Sequence, residues 1–580
     1  GVDHKVLEEK IPEWVSGYLD WSQEDLERLK EGEARFALQP ISDIHLQSHL
    51  RWELEDNGNI LYVYILVAIL GFLILIASIN YVNLTTAKSV ERAKEVGVRK
   101  TIGAVSRGLS GQFYLESILF SLVALVLSIG VAALLLNGFN GLSGKQFEIN
   151  ELLSLPFLSK AVLVGLTIGV LAGSYPAIVL SSFQPTEVLK GKLATSSRGV
   201  RLRSFLVILQ FTISAILISG SFIIFSQIRF MKEKDLGFDQ EALISLNVPI
   251  SIEIGGVDVE ALRNTQTQLE TITGVRATAL VSSIPGGQFN QHAFFLREDP
   301  ENKVDASEIM VDYNIEDVFG IELASGRMFD RSYAEDSLTN IIINEEMASQ
   351  LIVENPVGMT IVQNASGREF EFKIIGVVKD FHFQSLHQQI QPLIMTVQPL
   401  GAGHILVKLD GQHFGKTISQ IEEIYDATVE SELPFEYHFL DQDLAAMYQQ
   451  EERTLSIFSV FSAIALILAA LGLLGMAIAI LNQRVKEVGM RKILGASSAQ
   501  IMQMILGQFA RLIIIAMLIG LPVSYVVMQG WINEFSYQAP FGLMPYILAF
   551  VVLLVVAMVS VISAVTKITY SNPVDSLRCE

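Results

Sequence analysis

The chain has 580 residues, of which 51% are hydrophobic and 18% charged, with a formal net charge of −20 and a mean hydropathy of +0.43. This mixture is typical of membrane spans joined to sizeable water-exposed parts, and the acidic balance argues against nucleic acid as a partner. The single cysteine, Cys579, excludes a disulfide framework within the chain.

Seven apolar runs are long enough to cross a bilayer, which takes about 20 residues for a hydrocarbon core of roughly 30 Å. Buried helices of a large soluble protein are the alternative, but seven runs clustered near one length favour membrane spans. The runs are Leu61–Leu84, Phe113–Leu136, Phe157–Leu180, Ser204–Ile228, Leu455–Leu481, Ile501–Met528 and Leu543–Val565.

The charges between the spans predict the orientation. Lys and Arg concentrate between the first and second, third and fourth, and fifth and sixth spans, which places these three loops in the cytoplasm. The region from Arg229 to Arg453 instead holds 37 Asp and Glu against 15 Lys and Arg, and we expect it outside the cytoplasm. An odd number of spans and a polar start at Gly1 predict one more span upstream, eight in the complete protein.

A sequence repeat divides the chain into two copies of one module. RAKEVGVRKTIGA from Arg92 to Ala104 recurs as RVKEVGMRKILGA from Arg484 to Ala496 with the same spacing. A second pair, Pro185–Lys190 and Pro573–Arg578, follows the last span of each copy. Each copy therefore consists of an extracytoplasmic domain, a span, a basic loop, two spans and a short cytoplasmic helix.

The predicted fold class is an α-helical transmembrane bundle with a mixed α/β extracytoplasmic domain. In that domain, strand-like runs such as Phe370–Val378, Ile405–Leu409 and Phe435–Phe439 alternate with the helical runs Glu345–Ile352 and Thr417–Ser431. The predicted division is 1–59, remnant of a first extracytoplasmic domain; 60–182, first membrane module with a basic loop at 86–108; 183–203, cytoplasmic linker helix; 204–228, first span of the second copy; 229–453, extracytoplasmic domain; 454–570, second membrane module with a basic loop at 482–500; and 571–580, cytoplasmic tail.

The basic loop has two possible roles. Apolar residues at near-helical spacing among the cations would let it lie on anionic lipid; they are Val90, Ala93, Val96 and Ile102. Lipid binding needs no particular residue order, yet both copies keep a Glu, a Gly two residues later and an Arg-Lys pair. The retained order favours a protein-docking surface that is presented twice.

Several motifs together resemble ABC-transporter permeases of the MacB and FtsX-like type. Besides the paired loops they are the turn signal Gly173–Ala177, the segment Ser182–Gly191, and the extracytoplasmic motifs Ser325–Phe329, Ile341–Glu345, Asn355–Gly358 and Ile374–His382. In that family the basic loop is a coupling helix that docks on an ATPase. The resemblance implies a dimer of ATPases at the cytoplasmic face, with ATP and Mg²⁺ bound by that partner and no cofactor in this chain.

The resemblance also implies which residues form the coupling site. Arg99, Lys100, Arg491 and Lys492 are expected to contact the ATPase, and the glutamates of the two loops to pair with its basic groups. The full set is Arg92, Lys94, Glu95, Gly97, Arg99, Lys100, Gly103, Arg484, Lys486, Glu487, Gly489, Arg491, Lys492 and Gly495.

Other chemistry is poorly supported. A P-loop needs Gly-x-x-x-x-Gly-Lys-[Ser/Thr], but around Gly144 the first Gly is Phe139 and the hydroxyl residue is Gln146. Asp380, His382 and His387 could be taken for metal ligands, but their spacing matches no recognised metal motif, and a packing role for this loop is favoured. No metal site is expected.

Three functions remain open. The first is an ABC permease in the bacterial inner membrane, which exports a peptide, drug or lipid-linked substrate by force transmission to its extracytoplasmic domains. The second is a regulator that uses the same force to switch an extracytoplasmic enzyme such as a cell-wall hydrolase, and the third is a receptor without an ATPase. Membrane lipids, a periplasmic adaptor and an outer-membrane component are further candidate partners.

Overall fold

In a computed structural model, the chain folds as two compact units. One, the α/β unit, comprises Gly1–Asn59, Met231–Gln449 and Phe535–Tyr537; the other, the helical unit, comprises Ile60–Phe230, Gln450–Glu534 and Gln538–Glu580. The structure describes residues 4–8, 10–11, 14, 37–48, 58, 60–87, 89–182, 197–248, 258–365, 368–398, 401–411, 414–429, 434–483, 487, 490–491, 493–540 and 542–569.

The helices and strands are numbered in chain order. The helices are α1 His4–Glu8, α2 Ile41–Gln47, α3 Ile60–Ala87, α4 Ser89–Thr101, α5 Ser106–Ser143, α6 Ile149–Leu152, α7 Leu155–Ser182, α8 Ser197–Glu233, α9 Val259–Leu269, α10 Ile315–Phe319, α11 Glu345–Gln350, α12 Phe414–Thr428, α13 Leu440–Ala446, α14 Gln449–Gln483, α15 Ser498–Ile532 and α16 Met544–Thr569. The strands are β1 Leu243–Asn247, β2 Val275–Val281, β3 Asn290–Leu296, β4 Asp299–Val311, β5 Leu323–Gly326, β6 Asn340–Asn344, β7 Thr360–Ala365, β8 Arg368–Val378, β9 Leu393–Val397, β10 His404–Leu409 and β11 Tyr437–Phe439.

Among the described residues, seven helices are long and apolar enough to cross a membrane: α3, α5, α7, α8, α14, α15 and α16. Each corresponds to one of the seven predicted apolar runs. With the α/β unit described below, they confirm the predicted fold class. The segment 183–196, which contains most of the predicted cytoplasmic linker helix, and the tail from residue 570 lie outside the described residues.

The predicted turn signal at Gly173–Ala177 is wrong as a turn, because α7 runs through it without interruption. Its glycine serves helix packing instead. A Cβ on Gly173 would lie 2.9 Å from Ser117 Cβ, and one on Gly169, a turn earlier, would lie 2.8 Å from Ile118 Cα. The two glycines let α7 approach α5 closely, as small residues commonly do between membrane helices.

In the second module α8 packs against α14, α15 and α16 around a continuous apolar core that includes Phe211, Leu473 and Phe509. Hydroxyl groups add bonds between the helices. Ser219 Oγ donates to Ser524 Oγ at 2.7 Å, and both side chains are fully buried. Small residues and internal hydrogen bonds are how apolar helices associate where no water is present.

The α/β unit contains one eleven-stranded sheet among the described residues. Strands β4, β3, β7, β8, β6 and β9 form a closed ring, because β9 pairs in parallel with residues 307–311 of β4. Strands β2, β10, β1 and β11 continue from β4 through the Val281–Val311 pair, with α9 and α12 packed on one face. The predicted strands at Phe370–Val378 and Ile405–Leu409 are thus confirmed.

Two of the extracytoplasmic sequence motifs have structural roles. Arg327 donates to both carboxylate oxygens of Asp336, at 2.6 and 2.7 Å, and Asp336 is 1% exposed. Burial acts to raise the pKa of Asp336, but hydrogen bonds from Arg327, Asn340 and the Asp330 backbone outweigh it and hold that pKa below its usual value. The motif therefore ties β5 to the segment that precedes β6.

The second motif centres on Asn344, whose side chain is completely buried at the end of β6. Its Oδ1 accepts from the backbone N–H groups of Met347 and Leu393, at 3.0 and 2.9 Å. Its Nδ2 donates to Asp380 Oδ1 at 2.9 Å. One amide thus caps α11 and joins it to β9 and to the loop after β8.

Candidate coupling site

The first coupling segment consists of α4 and the turn that leads into α5. Gly103 has a φ of 103°, in the left-handed region that glycine adopts without strain. The N–H of Gly103 donates to Lys100 O at 3.1 Å, and the N–H of Ala104 donates to Arg99 O at 3.0 Å. The repeated Gly-Ala pair is therefore a helix C-cap.

The second coupling segment, residues 487–497, ends in the same turn. Gly495 has a φ of 93°, and the N–H of Ala496 donates to Arg491 O at 2.9 Å, as in the first segment. The side chain of Ser497 then caps α15 in a capping box with Gln500. The sequence match between the copies is thus also a match in backbone geometry at this turn.

Both segments contain the same intrahelical ion pair. Glu95 lies 2.5 Å from Arg99, and Glu487 lies 2.9 Å from Arg491, each four residues apart and about half exposed. Arg99 Nη1 also donates to Gln112 Oε1 at 3.0 Å. The glutamates, predicted to pair with basic groups of a partner, are here paired with arginines of their own helix. Their pairing with a partner stays a prediction.

The apolar side of α4 is partly used within the protein. Val96 is 2% exposed and packs in a small core with Leu109, Phe113 and Ala177. Since this valine belonged to the face proposed for lipid, its burial disfavours α4 as a helix lying on the headgroups. The side chains of Val90 and Ala93 lie outside the described residues.

Large apolar side chains are exposed in both segments, although the predicted coupling site contains only charged residues and glycines. Ile102 and Leu494 occupy corresponding positions in the two repeats, and each is 81% exposed. Val98 and Met490, which also correspond, are 50% and 60% exposed. The repeat itself carried the signal, because it keeps a large apolar residue at both positions in both copies. Exposed apolar residues among charges are typical of surfaces that bind another protein.

The remaining predicted site residues are placed only in part. The backbones of Arg92 and Lys94 lie in α4, Gly97 is buried, and Lys100 is partly exposed. The side chains of Arg92 and Lys94 lie outside the described residues, as do four predicted site residues of the second copy. These four are Arg484, Lys486, Gly489 and Lys492.

Gly144, considered above for a phosphate loop, is the left-handed C-cap of α5, with its N–H donating to Asn140 O. Phe139 lies inside the same helix. A phosphate loop instead precedes a helix and presents its backbone N–H groups to the ligand.

The histidines after β8 form packing contacts in the α/β unit. The His382 ring meets the edge of Tyr537, with 4.7 Å between ring centroids, and burial together with nearby Lys234 lowers the pKa of His382 to about 4. The carbonyl oxygen of His387 accepts from Ser536 Oγ at 2.8 Å. Among the described residues, no group of three or more His, Cys, Asp or Glu could hold a metal ion.

Comparison with protein families assigns both halves of this architecture. The family model "FtsX-like permease C-terminal" matches residues 67–185 and again 459–573, and "MacB-like periplasmic core domain" matches residues 204–424. The chain belongs to the FtsX/MacB-like ABC transporter permeases. The two FtsX-like matches coincide with the two membrane modules. This FtsX/MacB-like permease is thus a multi-pass membrane protein with an extracytoplasmic α/β domain.

Individual relatives match the permease over short stretches. It is 31% identical over 126 residues to the macrolide export ATP-binding/permease protein MacB of Bdellovibrio bacteriovorus, covering 22% of this chain and 19% of that protein. It is 29% identical over 125 residues to the uncharacterized ABC transporter permease YknZ of Bacillus subtilis, covering 21% and 30%. The periplasmic region of MacB from Actinobacillus actinomycetemcomitans aligns with 37% of this chain and 97% of its own length, at 15% identity and a TM-score of 0.26.

Proposed function

We propose that this permease couples ATP hydrolysis by a separate ATPase to a change in the arrangement of its extracytoplasmic domains, and that it works in the bacterial inner membrane. ATP and Mg²⁺ would be bound by the ATPase. The observation that carries the proposal is the twofold presentation of one surface. Both coupling segments combine the same glycine turn, the same Glu–Arg pair and an exposed apolar residue at the same position of the repeat.

Two matching surfaces on one chain suit a partner with two matching sites, such as an ATPase dimer. In this arrangement Ile102 and Leu494 act as apolar anchors, and Arg99 and Arg491 supply charge at the rim. The ion pairs to Glu95 and Glu487 are exposed and therefore weak, so they can exchange for pairs with the partner at little cost.

The cargo proposed for this chain is a drug-like, peptide or lipid-linked molecule, and the names of the MacB relatives support drug export most directly. ATP-dependent movement of a macrolide in proteoliposomes that contain the permease and its ATPase would support transport. An ATP-dependent gain in the activity of a cell-wall hydrolase, without such movement, would support regulation instead.

The coupling surface is tested by placing a charge on each anchor. We expect the double variant Ile102→Asp/Leu494→Asp to lose a Walker-motif ATPase on co-purification and to reduce stimulated ATP hydrolysis at least tenfold, with each single variant between the double variant and wild type. Leu338→Asp is the matched control, because Leu338 is 72% exposed in the α/β unit. Normal association and hydrolysis in the double variant would refute the docking role of these surfaces.

The charge prediction is tested separately. Reversal of both glutamates in Glu95→Lys/Glu487→Lys breaks the helical ion pairs and places a cation where the partner's basic groups are expected. We expect the double variant to associate with the ATPase more weakly than either single variant. The association that remains should depend less on salt concentration than that of the wild type. An association equal to wild type at low salt would show that the glutamates do not contact the partner.

A further inference from the structure

Inside the helical unit, α3 of the first membrane module and α14 of the second make a polar contact. The alignment that pairs Arg92 with Arg484 also pairs Asn80 of α3 with Gly472 of α14, and Asn83 with Gly475. The first of these corresponding pairs meets in space. Asn80 lies against Gly472, and a turn further on Leu84 lies against Gly475.

The contact is asymmetric although the modules are repeats. Asn80 Nδ2 donates to the Leu468 carbonyl at 2.7 Å. A Cβ on Gly472 would overlap Asn80 Oδ1, and a Cβ on Gly475 would overlap the Leu84 side chain. Asn80 and Leu84 on one helix thus face glycines on the other, which lets the two backbones approach closely.

One amide in this contact is unmatched. Asn83 is 1% exposed, and neither its Oδ1 nor its Nδ2 has a hydrogen-bond partner among the described residues. Asn80 Oδ1 is likewise buried without a partner. Because Asn83 is almost completely buried, an unmatched amide there destabilises the arrangement that buries it. A second arrangement in which Asn83 is bonded would remove that cost.

We propose that α3 and α14 have two registers, and that Asn83 replaces Asn80 on the Leu468 carbonyl in the second. Asn83 follows Asn80 by three residues on the same side of the helix, so the exchange needs a slide of about 4.5 Å at 1.5 Å per residue. Gly472 has no side chain to obstruct the slide. One-turn shifts of this kind are an established form of switching between packed helices.

The use of this switch in coupling rests on the proposed function. In the first module, α4 follows α3 almost directly and carries the first coupling segment. In the second module, the second coupling segment follows α14 along the chain. A partner that moves the two segments relative to each other would favour one register over the other, and the registers differ in which amide is bonded.

The registers are distinguished by disulfide cross-linking in the background Cys579→Ser, which removes the only cysteine. Leu84→Cys/Gly475→Cys reports the register in which Asn80 bonds the Leu468 carbonyl. Ala87→Cys/Gly475→Cys reports the second register, in which Asn83 takes that place. Both pairs leave the asparagines intact. Ser219→Cys/Ser524→Cys, whose hydroxyl groups lie 2.7 Å apart, is the control for a folded second module.

We expect both reporter pairs to cross-link in native membranes without any ATPase. Asn83→Leu should favour the Leu84–Gly475 link about tenfold, because it removes the unmatched amide, and Asn80→Leu should favour the Ala87–Gly475 link by a similar factor. Failure of the Ala87–Gly475 pair to cross-link while the control does, or an unchanged ratio of the two links in Asn83→Leu, would overturn the two registers.

ATP and the partner ATPase are added last. A change in the ratio of the two links on ATP addition supports the use of the switch in coupling. If both links form but their ratio does not change with ATP, the two registers exist and are not coupled to hydrolysis. The experiment therefore distinguishes a failure of the proposed function from a failure of the switch.

Discussion

The two membrane modules share a sequence motif but differ in how deeply their corresponding helices are buried. In α15 of the second module, buried residues occur from Ile501 to Ile532. In α5 of the first module, the buried residues are Leu109, Phe113, Ser117 and Ser143. Among the described residues, α15 packs against α8 as well as its own neighbours, whereas α5 makes its close contacts with α7. Repeated sequence thus fixes local geometry, and the neighbouring helices decide burial.

The largest effect is expected from truncating an aromatic side chain in the second module. Phe211 of α8 is 1% exposed, so Phe211→Ala should lower the free energy of unfolding by about 3–5 kcal/mol. Phe120 of α5 is 60% exposed, and Phe120→Ala should cost less than about 1 kcal/mol. Thermal unfolding in detergent measures both. Equal losses would mean that the modules are equally packed.

A smaller contrast comes from adding a side chain at corresponding positions. A Cβ on Gly520 would lie 3.0 Å from both Ala215 Cβ and Thr212 O, so Gly520→Leu should separate α15 from α8 at a cost of about 1–3 kcal/mol. Ser128 of α5 corresponds to Gly520 and is exposed. Ser128→Leu should leave unfolding unchanged, and a comparable loss there would contradict the open packing of α5.

Removal of one hydroxyl tests the polar contacts between helices. Ser524→Ala deletes one acceptor for Ser219, whose single hydroxyl hydrogen is then donated to Ala215 O, 2.6 Å away, so the loss should be about 0.6 kcal/mol. Ser128 bonds only within its own helix among the described residues, to Leu125 O. Ser128→Ala is the control and should have no measurable effect on the unfolding temperature; a loss above about 2 kcal/mol in Ser524→Ala would point to a larger network.

The smallest effect is expected where the modules are most alike. Glu95→Gln and Glu487→Gln each remove an exposed pair four residues apart, which is worth about 0.3–0.5 kcal/mol. Chemical denaturation should therefore show equal and small losses in both variants. A clear difference between them would mean that the coupling segments differ in their surroundings despite the shared motif.

The architecture could be predicted from the sequence because the patterns that indicate it are local. A span requires about 20 apolar residues in a row, and the charges that flank it set its orientation, so the seven spans could be counted without a structure. The repeat located both coupling segments for the same reason. Gly103 and Gly495 are needed by the backbone of a single turn, and a local requirement is visible in the local sequence.

The site itself was predicted less completely. The cations and glutamates of the loops stood out as charges, but the pairing of Glu95 with Arg99 and the exposure of Ile102 depend on how the helix is placed. An isoleucine in an amphipathic segment is equally consistent with a buried or an exposed face. Only the burial of Val96 shows which face is turned inward.

The sequence by itself determined the number of spans, the duplicated module and the position of each coupling segment, because each follows from residues that are close together in the chain. Tertiary structure alone decided what depends on distant residues. It set the deep burial of α15, the closed ring of β4, β3, β7, β8, β6 and β9, and the meeting of Asn80 with Gly472. Contacts between residues hundreds of positions apart leave no local pattern, since any small residue and any polar residue could have met there.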